Sequence, residues 1–162
     1  MADTPPPLTL RDARDDDAAT LVAFNQALAL ESEGRTLAHD VVDRGVRRLL
    51  ADPDRGRYVV AVVFAAGHER IVGQLMLTRE WSDWRDGWFL WIQSVYVDPS
   101  FRRRGVYRAL HAHVLAQLQA PAPEGERIRG VRLYVEPDNE RAKQTYAALG
   151  MTITYDVMEQ SA

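Results

Sequence analysis

The chain has 162 residues, 46% of them hydrophobic, and a formal net charge of −3. That length suits one domain with a real core, and the balance excludes a disordered chain, a membrane span of ~20 apolar residues and bulk attraction to nucleic acid. Cysteine is absent, which rules out disulfides, thiolate metal sites and a covalent cysteine intermediate.

Residues 1–7 include Pro5, Pro6 and Pro7. They read as an extended, mobile lead-in without the basic and apolar stretches of a secretory signal. Residues 8–11 are a candidate first strand. Asp15, Asp16 and Asp17 supply cap chemistry and negative charge for a first helix, whose stripe is Leu21, Val22, Leu28 and Ala29 with Asn25 among them. A second helix from about Thr36 carries Val42, Val46, Leu49 and Leu50 and stops at Asp52 and Pro53. Residues 57–65 are β-branched and nearly all apolar, the texture of a buried strand. Residues 66–69 then form a hairpin turn and 71–80 the returning strand, followed by a polar, aromatic loop over 81–87.

Residues 88–97 make a long strand with few charges, hence a central one, ended by Asp98, Pro99 and Ser100. A third helix from near Gly105 sets Val106, Leu110, Val114 and Leu118 on one face. Val131, Leu133 and Val135 alternate in a further strand. Pro137, Asp138 and Asn139 open a fourth helix with Ala142, Tyr146 and Leu149 on its inner stripe, Gly150 ends it, and 151–157 read as a last strand. The order βααβββαβαβ predicts an α/β (α+β) chain. An antiparallel meander leads into a βαβαβ segment, giving a mixed sheet with helices on it in one domain over residues 1–162. His39, His68, His111 and His113 lack metal-ligand spacing, so no metal site is expected and all four take surface or packing roles.

The sharpest chemical signal is the passage from the central strand into the third helix. Arg102, Arg103, Arg104 and Arg108 surround Gly105, just before the first turn of that helix. Such a turn leaves unpaired N–H groups and a partial positive charge, which suit a phosphate, and glycine lets the backbone approach an anion without a Cβ in the way. A solvated basic loop with a turn glycine is the alternative. Downstream, Asn139 and Tyr146 are seven apart on the fourth helix and share a face. They read either as a functional pair or as a cap and a core aromatic.

On these two stretches the chain resembles the GNAT superfamily of N-acetyltransferases. The family's pyrophosphate loop, Arg/Gln-x-x-Gly-x-Gly/Ala, corresponds to Arg102, Arg103, Arg104, Gly105, Val106 and Tyr107. Tyr107 departs from the small residue usual there, so its ring must point away or the phosphates must sit higher. The family's Asn, Ala and Tyr before Leu-Gly-Phe/Met correspond to Asn139, Ala142 and Tyr146 before Leu149, Gly150 and Met151. The resemblance covers residues 8–157. It implies a mixed, mostly antiparallel central sheet of about six strands flanked by four helices. It also implies acetyl-CoA as co-substrate, a splayed strand through Val95, Tyr96 and Val97 that receives the pantetheine arm, and a proton donated by Tyr146 to the departing thiolate.

The acceptor side of this fold is built from the first two helices and the ends of the middle strands. Those regions offer Glu31, Ser32, Glu33, Glu80, Trp81, Asp83, Trp84 and Trp88. Carboxylates hold ammonium groups and indole faces attract cations. That combination points to a small primary amine as acceptor, the alternative being that Trp81 and Trp84 cover the hairpin end and the acids are solvated. Glu80 is the first candidate general base, directly or through water, and Glu31 the second. Expected partners are acetyl-CoA and that amine, in a cytoplasmic protein with no membrane or nucleic-acid partner and with a homodimer as a candidate assembly. The rivals are a catalytically silent coenzyme A sensor, favoured by Tyr107, and a peptide or protein acetyltransferase.

Overall fold

The computed structural model describes residues 7–65 and 67–160. Strand β1 (Leu8–Asp12) is followed by a 3₁₀ turn, then helices α1 (Ala18–Glu33) and α2 (His39–Leu50). Strands β2 (Arg57–Ala65), β3 (His68–Ser82) and β4 (Gly87–Val97) come next, then a second 3₁₀ turn (Pro99–Phe101), helix α3 (Val106–Ala116), strand β5 (Ile128–Leu133) and helix α4 (Glu140–Ala148). The sheet has five strands in the order β1-β2-β3-β4-β5. The first four run antiparallel and β5 lies parallel to β4. The parallel step needs a crossover, and α3 supplies it.

Strand β2 explains the layering. Its residues alternate between two buried faces, which is why its sequence is a continuous apolar run rather than an alternating one. Val59, Ala61 and Val63 join Val72, Leu75, Leu77, Leu90 and Ile92 against Val106, Leu110 and Val114 of α3. Tyr58, Val60 and Val62 face Ala18, Leu21 and Val22 of α1 and Val46 and Leu49 of α2. Gly73 lets α3 close on the sheet, since a Cβ there would stand 2.8 Å from Val106 Cγ1.

Several expectations need correction. The sixth strand is absent: residues 151–160 form no regular structure, and Ile153, Tyr155 and Val157 are exposed. Alternation gives a segment strand propensity, but a strand also needs an edge to pair with. The fifth strand begins three residues before Val131 and does not reach Val135. Helix α2 starts at His39 rather than Thr36, and Leu118 lies beyond α3, exposed. The aspartates before α1 make no side-chain cap. Asp17 instead accepts from Arg11 and from the Arg14 backbone N–H. The lead-in falls mostly on residues 1–6, and the hairpin turn partly on residue 66, outside the described residues.

Candidate active site

The anion loop is shaped by local chemistry. Asp98 accepts from the N–H and hydroxyl of Ser100 at 2.9 and 2.6 Å, which turns the chain out of β4. Arg103 and Gly105 then take left-handed backbone angles, φ 61° and 82°. Glycine holds that conformation without strain, and its missing Cβ would meet no heavy atom within 4 Å, so the loop is open at that point. Gly105 caps α3 without a side chain. The first helical N–H to reach a carbonyl of the turn is Ala109, bonded to Gly105 O at 2.9 Å, which leaves the N–H groups of Val106, Tyr107 and Arg108 without a helical acceptor. Arg102 behaves differently from its neighbours. Its Nε donates to Val97 O at 3.0 Å and its Nη2 to Glu31 at 2.6 Å.

Beside the loop the sheet opens. The β4–β5 register ends at Ile92 opposite Leu133, while β4 continues to Val97. Residues 93–97 therefore run on without a β5 partner. Val95 and Val97 pack toward α3, and Tyr96 is buried on the opposite face.

Tyr146 stands on α4, with its ring edge-on to that of Tyr107 at a centroid distance of 5.9 Å. Tyr107 also lies 5.8 Å from the ring of His111, one turn along α3. Its ring is thus directed toward α4 and along α3. Burial raises the pKa of both tyrosines, and the nearby Tyr146 raises that of Tyr107 further. Both are hydroxyl donors at neutral pH. Burial lowers that of His111, which is 2% exposed and stays neutral. The Tyr107 hydroxyl and His111 Nε2 are buried without a hydrogen-bond partner among the described residues. The strand end without a β5 partner and the N–H groups at the start of α3 without a helical acceptor are the donors and acceptors that an amide arm and phosphates require, so these residues fit coenzyme A. Asn139 caps α4, accepting from Ala142 N at 3.0 Å, so its oxygen is engaged.

The acceptor candidates divide into two places. A cleft of about 570 Å³ is lined by Glu31, Ser32, Glu33, Arg35, Glu136, Asp138 and Asn139. It joins the end of α1 to the loop between β5 and α4. Glu31 accepts from the Tyr96 hydroxyl at 2.6 Å and from Arg102, and these contacts hold its carboxyl below the usual range. Burial and the Glu31 charge push the Tyr96 hydroxyl up to about 12. Trp81, Asp83 and Trp84 instead sit at the β3–β4 hairpin. Asp83 accepts from Trp84 N, Trp84 is 91% exposed, and Trp81 packs edge-on against Trp88. They do not line the cleft.

Glu80 faces neither solvent alone nor the cleft. Trp91 Nε1 donates to one of its oxygens at 2.5 Å and Arg132 to the other at 2.7 Å. Arg132 lies 3.7 Å from the centroid of the Phe89 ring, and Trp91 stacks on Tyr134 at 4.5 Å. Trp91, Arg132, Tyr134 and Glu136 were not among the site residues expected from the sequence, and Asp138 was read only as part of the helix opening. The acidic pair flanking Pro137, just before a helix start, was the signal available for the last two.

The sequence model described as the Acetyltransferase (GNAT) family matches residues 19–151. No curated protein matches the chain. Among solved structures, a possible acetyltransferase from Clostridium difficile 630 is 44% identical, covers 96% of this chain and 97% of its own, and superposes with a TM-score of 0.86. The aminoglycoside N-acetyltransferase AAC(6')-Iy, in complex with CoA, is 18% identical over 100% of this chain and 99% of its own, with a TM-score of 0.75. A ribosomal-protein-alanine N-acetyltransferase from Brucella melitensis biovar Abortus 2308 is 13% identical over 96% and 100%, with a TM-score of 0.71. The last two likenesses are of fold.

Proposed function

The chain belongs to the GNAT acetyltransferase family, and from that premise we propose that it moves the acetyl group of acetyl-CoA to a primary amine of a small molecule, by direct attack in a ternary complex. The observation that carries the acceptor reading is the acidic cleft. Among the described residues, Glu31, Glu33, Glu136 and Asp138 line it with Arg35 as the one lining cation, a balance that favours an ammonium-bearing ligand. The fold likenesses include an aminoglycoside N-acetyltransferase and a ribosomal-protein-alanine N-acetyltransferase alike, so the choice rests on the cleft.

In this reading Arg103, Arg104, Arg108 and the N–H groups at the start of α3 bind the pyrophosphate. Val95, Tyr96 and Val97 present backbone groups to the pantetheine arm, and an N–H on this strand steadies the oxyanion. Acetyl-CoA supplies the activated acyl group. The amine must first lose a proton, since an ammonium has no lone pair. Glu80 or Glu31 receives it, through a water while both oxygens of the carboxylate stay engaged. As the new C–N bond forms and the C–S bond breaks, the Tyr146 hydroxyl gives its proton to the sulfur. Trp81, Asp83 and Trp84 stand at the β3–β4 hairpin, outside that cleft, and take no part in holding the ammonium there. The same reading makes the protein a cytoplasmic, single-domain enzyme that needs no metal, with a homodimer as a candidate assembly.

A panel of polyamines, amino acids, aminoglycosides and peptides, each assayed for coenzyme A thiol release, tests the acceptor. Turnover with a small di- or polyamine is expected. Release with peptides alone would shift the function to protein acetylation, and tight coenzyme A binding with no acceptor would favour a sensor.

A further inference from the structure

Three side chains from three elements meet where α1 ends over the sheet. The Tyr96 hydroxyl donates to Glu31 Oε1 and Arg102 Nη2 donates to Glu31 Oε2, each at 2.6 Å. Arg102 also holds Val97 O through Nε at 3.0 Å, and its guanidinium carbon stands 5.3 Å from the centroid of the Tyr96 ring. Phe24 of α1 backs that ring at 5.0 Å.

The ion pair joins two regions with separate duties. Arg102 opens the anion loop, and Glu31 lines the acidic cleft. Each is the other's counter-charge. The Arg102 side chain is 34% exposed and that of Glu31 44%. An ion pair this accessible is weak and screened, so an arriving phosphate can exchange with the carboxylate. A guanidinium carries five donors in a fixed fork. Two of them are committed here, to Val97 and Glu31, and because the fork is planar and rigid, a swing of the whole guanidinium toward the loop releases the carboxylate.

We propose that Glu31 competes with the phosphates of acetyl-CoA for Arg102, so that cofactor binding uncovers Glu31 for the ammonium of the acceptor. The proposal rests on residues 102–105 being the pyrophosphate loop. The cofactor then adds first, and the acceptor meets an acidic cleft completed only after the cofactor is seated. Tyr96 is a positioning residue, because its hydroxyl keeps the released carboxylate aimed at the cleft.

Calorimetric titration with coenzyme A tests this without any acceptor. Glu31→Gln removes the competitor and should bind coenzyme A about 3- to 10-fold more tightly than the wild type, a change of up to about 1.4 kcal/mol. Glu31→Asp, which keeps the charge but shortens the reach, should move the same way and serves if the first variant folds poorly. Arg102→Ala should bind more weakly, and in that background Glu31→Gln should have no further effect. A pair that is only structural predicts unchanged or weaker binding in both Glu31 variants, tracking any fall in melting temperature, and that result overturns the proposal. Absence of coenzyme A binding by the wild type is a separate failure, which removes the loop reading itself and this proposal with it.

Discussion

Tyr107 and Tyr146, on different helices, meet edge to face with their ring centroids 5.9 Å apart, and the hydroxyl of Tyr107 is buried there without a hydrogen-bond partner among the described residues. The residue that departs from the family loop thus reaches from the start of α3 to the candidate proton donor. An unsatisfied buried hydroxyl costs about 1–3 kcal/mol relative to a satisfied one. Removing it as Tyr107→Phe should leave the unliganded melting temperature unchanged or raised, while coenzyme A affinity falls several-fold as a hydrogen bond to the pantetheine arm is lost. Unchanged affinity would remove Tyr107 from the cofactor lining. Tyr107→Gly should be far more disruptive, since the ring fills space between α3 and α4.

Tyr146→Phe keeps the ring and its contact with Tyr107 and deletes only the proton donor. General acid catalysis is typically worth ~10²–10⁴-fold, and coenzyme A thiolate leaves moderately well by itself, so a loss of turnover of about 10²-fold is expected. Melting temperature and coenzyme A affinity should stay near wild type. Full turnover in the variant, with the chemical step limiting, identifies Tyr146 as a packing aromatic.

What the sequence made legible was local or periodic. The doubly buried run of β2, the stripe on α3 and the glycine loop each announce themselves within ten or so residues. The family motifs anchored the rest. What stayed hidden depends on contacts between distant segments. Glu31 and Arg102 are 71 residues apart, and nothing in either stretch says that the arginine turns to the helix instead of the loop. The inward turn of Tyr107 needs α4 to be in place. The acidic cleft draws on the end of α1 and on the segment after β5, so neither half reads as a site alone. The tail at 151–157 has strand alternation, but pairing is decided by an edge, which a pattern does not name.

Asp17 gives a pH test of the fold. Burial pushes its carboxyl up, but hydrogen bonds from Arg11 at 2.7 and 3.1 Å and from Arg14 N at 2.8 Å, with the Arg11 charge, outweigh burial and hold it below its ordinary 3.8. A carboxylate with a depressed folded pKa stabilises fully above its unfolded value, and that contribution is lost as pH falls through the folded one. Asp17→Asn should therefore cost about 2 kcal/mol at neutral pH. The gap in melting temperature should be flat from about pH 5 to 8 and close below about pH 4. A gap that persists at low pH means that the carboxylate charge is not what stabilises.

Glu80 separates base catalysis from support of the sheet. Its oxygens bridge Trp91 on β4 and Arg132 on β5, so it ties the parallel strand pair together just where the sheet begins to open. Glu80→Gln keeps an oxygen for Trp91 but cannot take the amine proton, and it loses the charge that pairs with Arg132. If Glu80 is the base, turnover falls by about 10²-fold or more while melting temperature and coenzyme A affinity hold. If Glu80 only braces β4 against β5, the variant loses melting temperature and turnover falls only with folding. Arg132→Gln distinguishes the two again. It removes the brace but leaves the carboxylate in place, so a base role predicts that this variant keeps most of its turnover wherever it stays folded, and wild-type turnover in folded Glu80→Gln would pass the base role to Glu31.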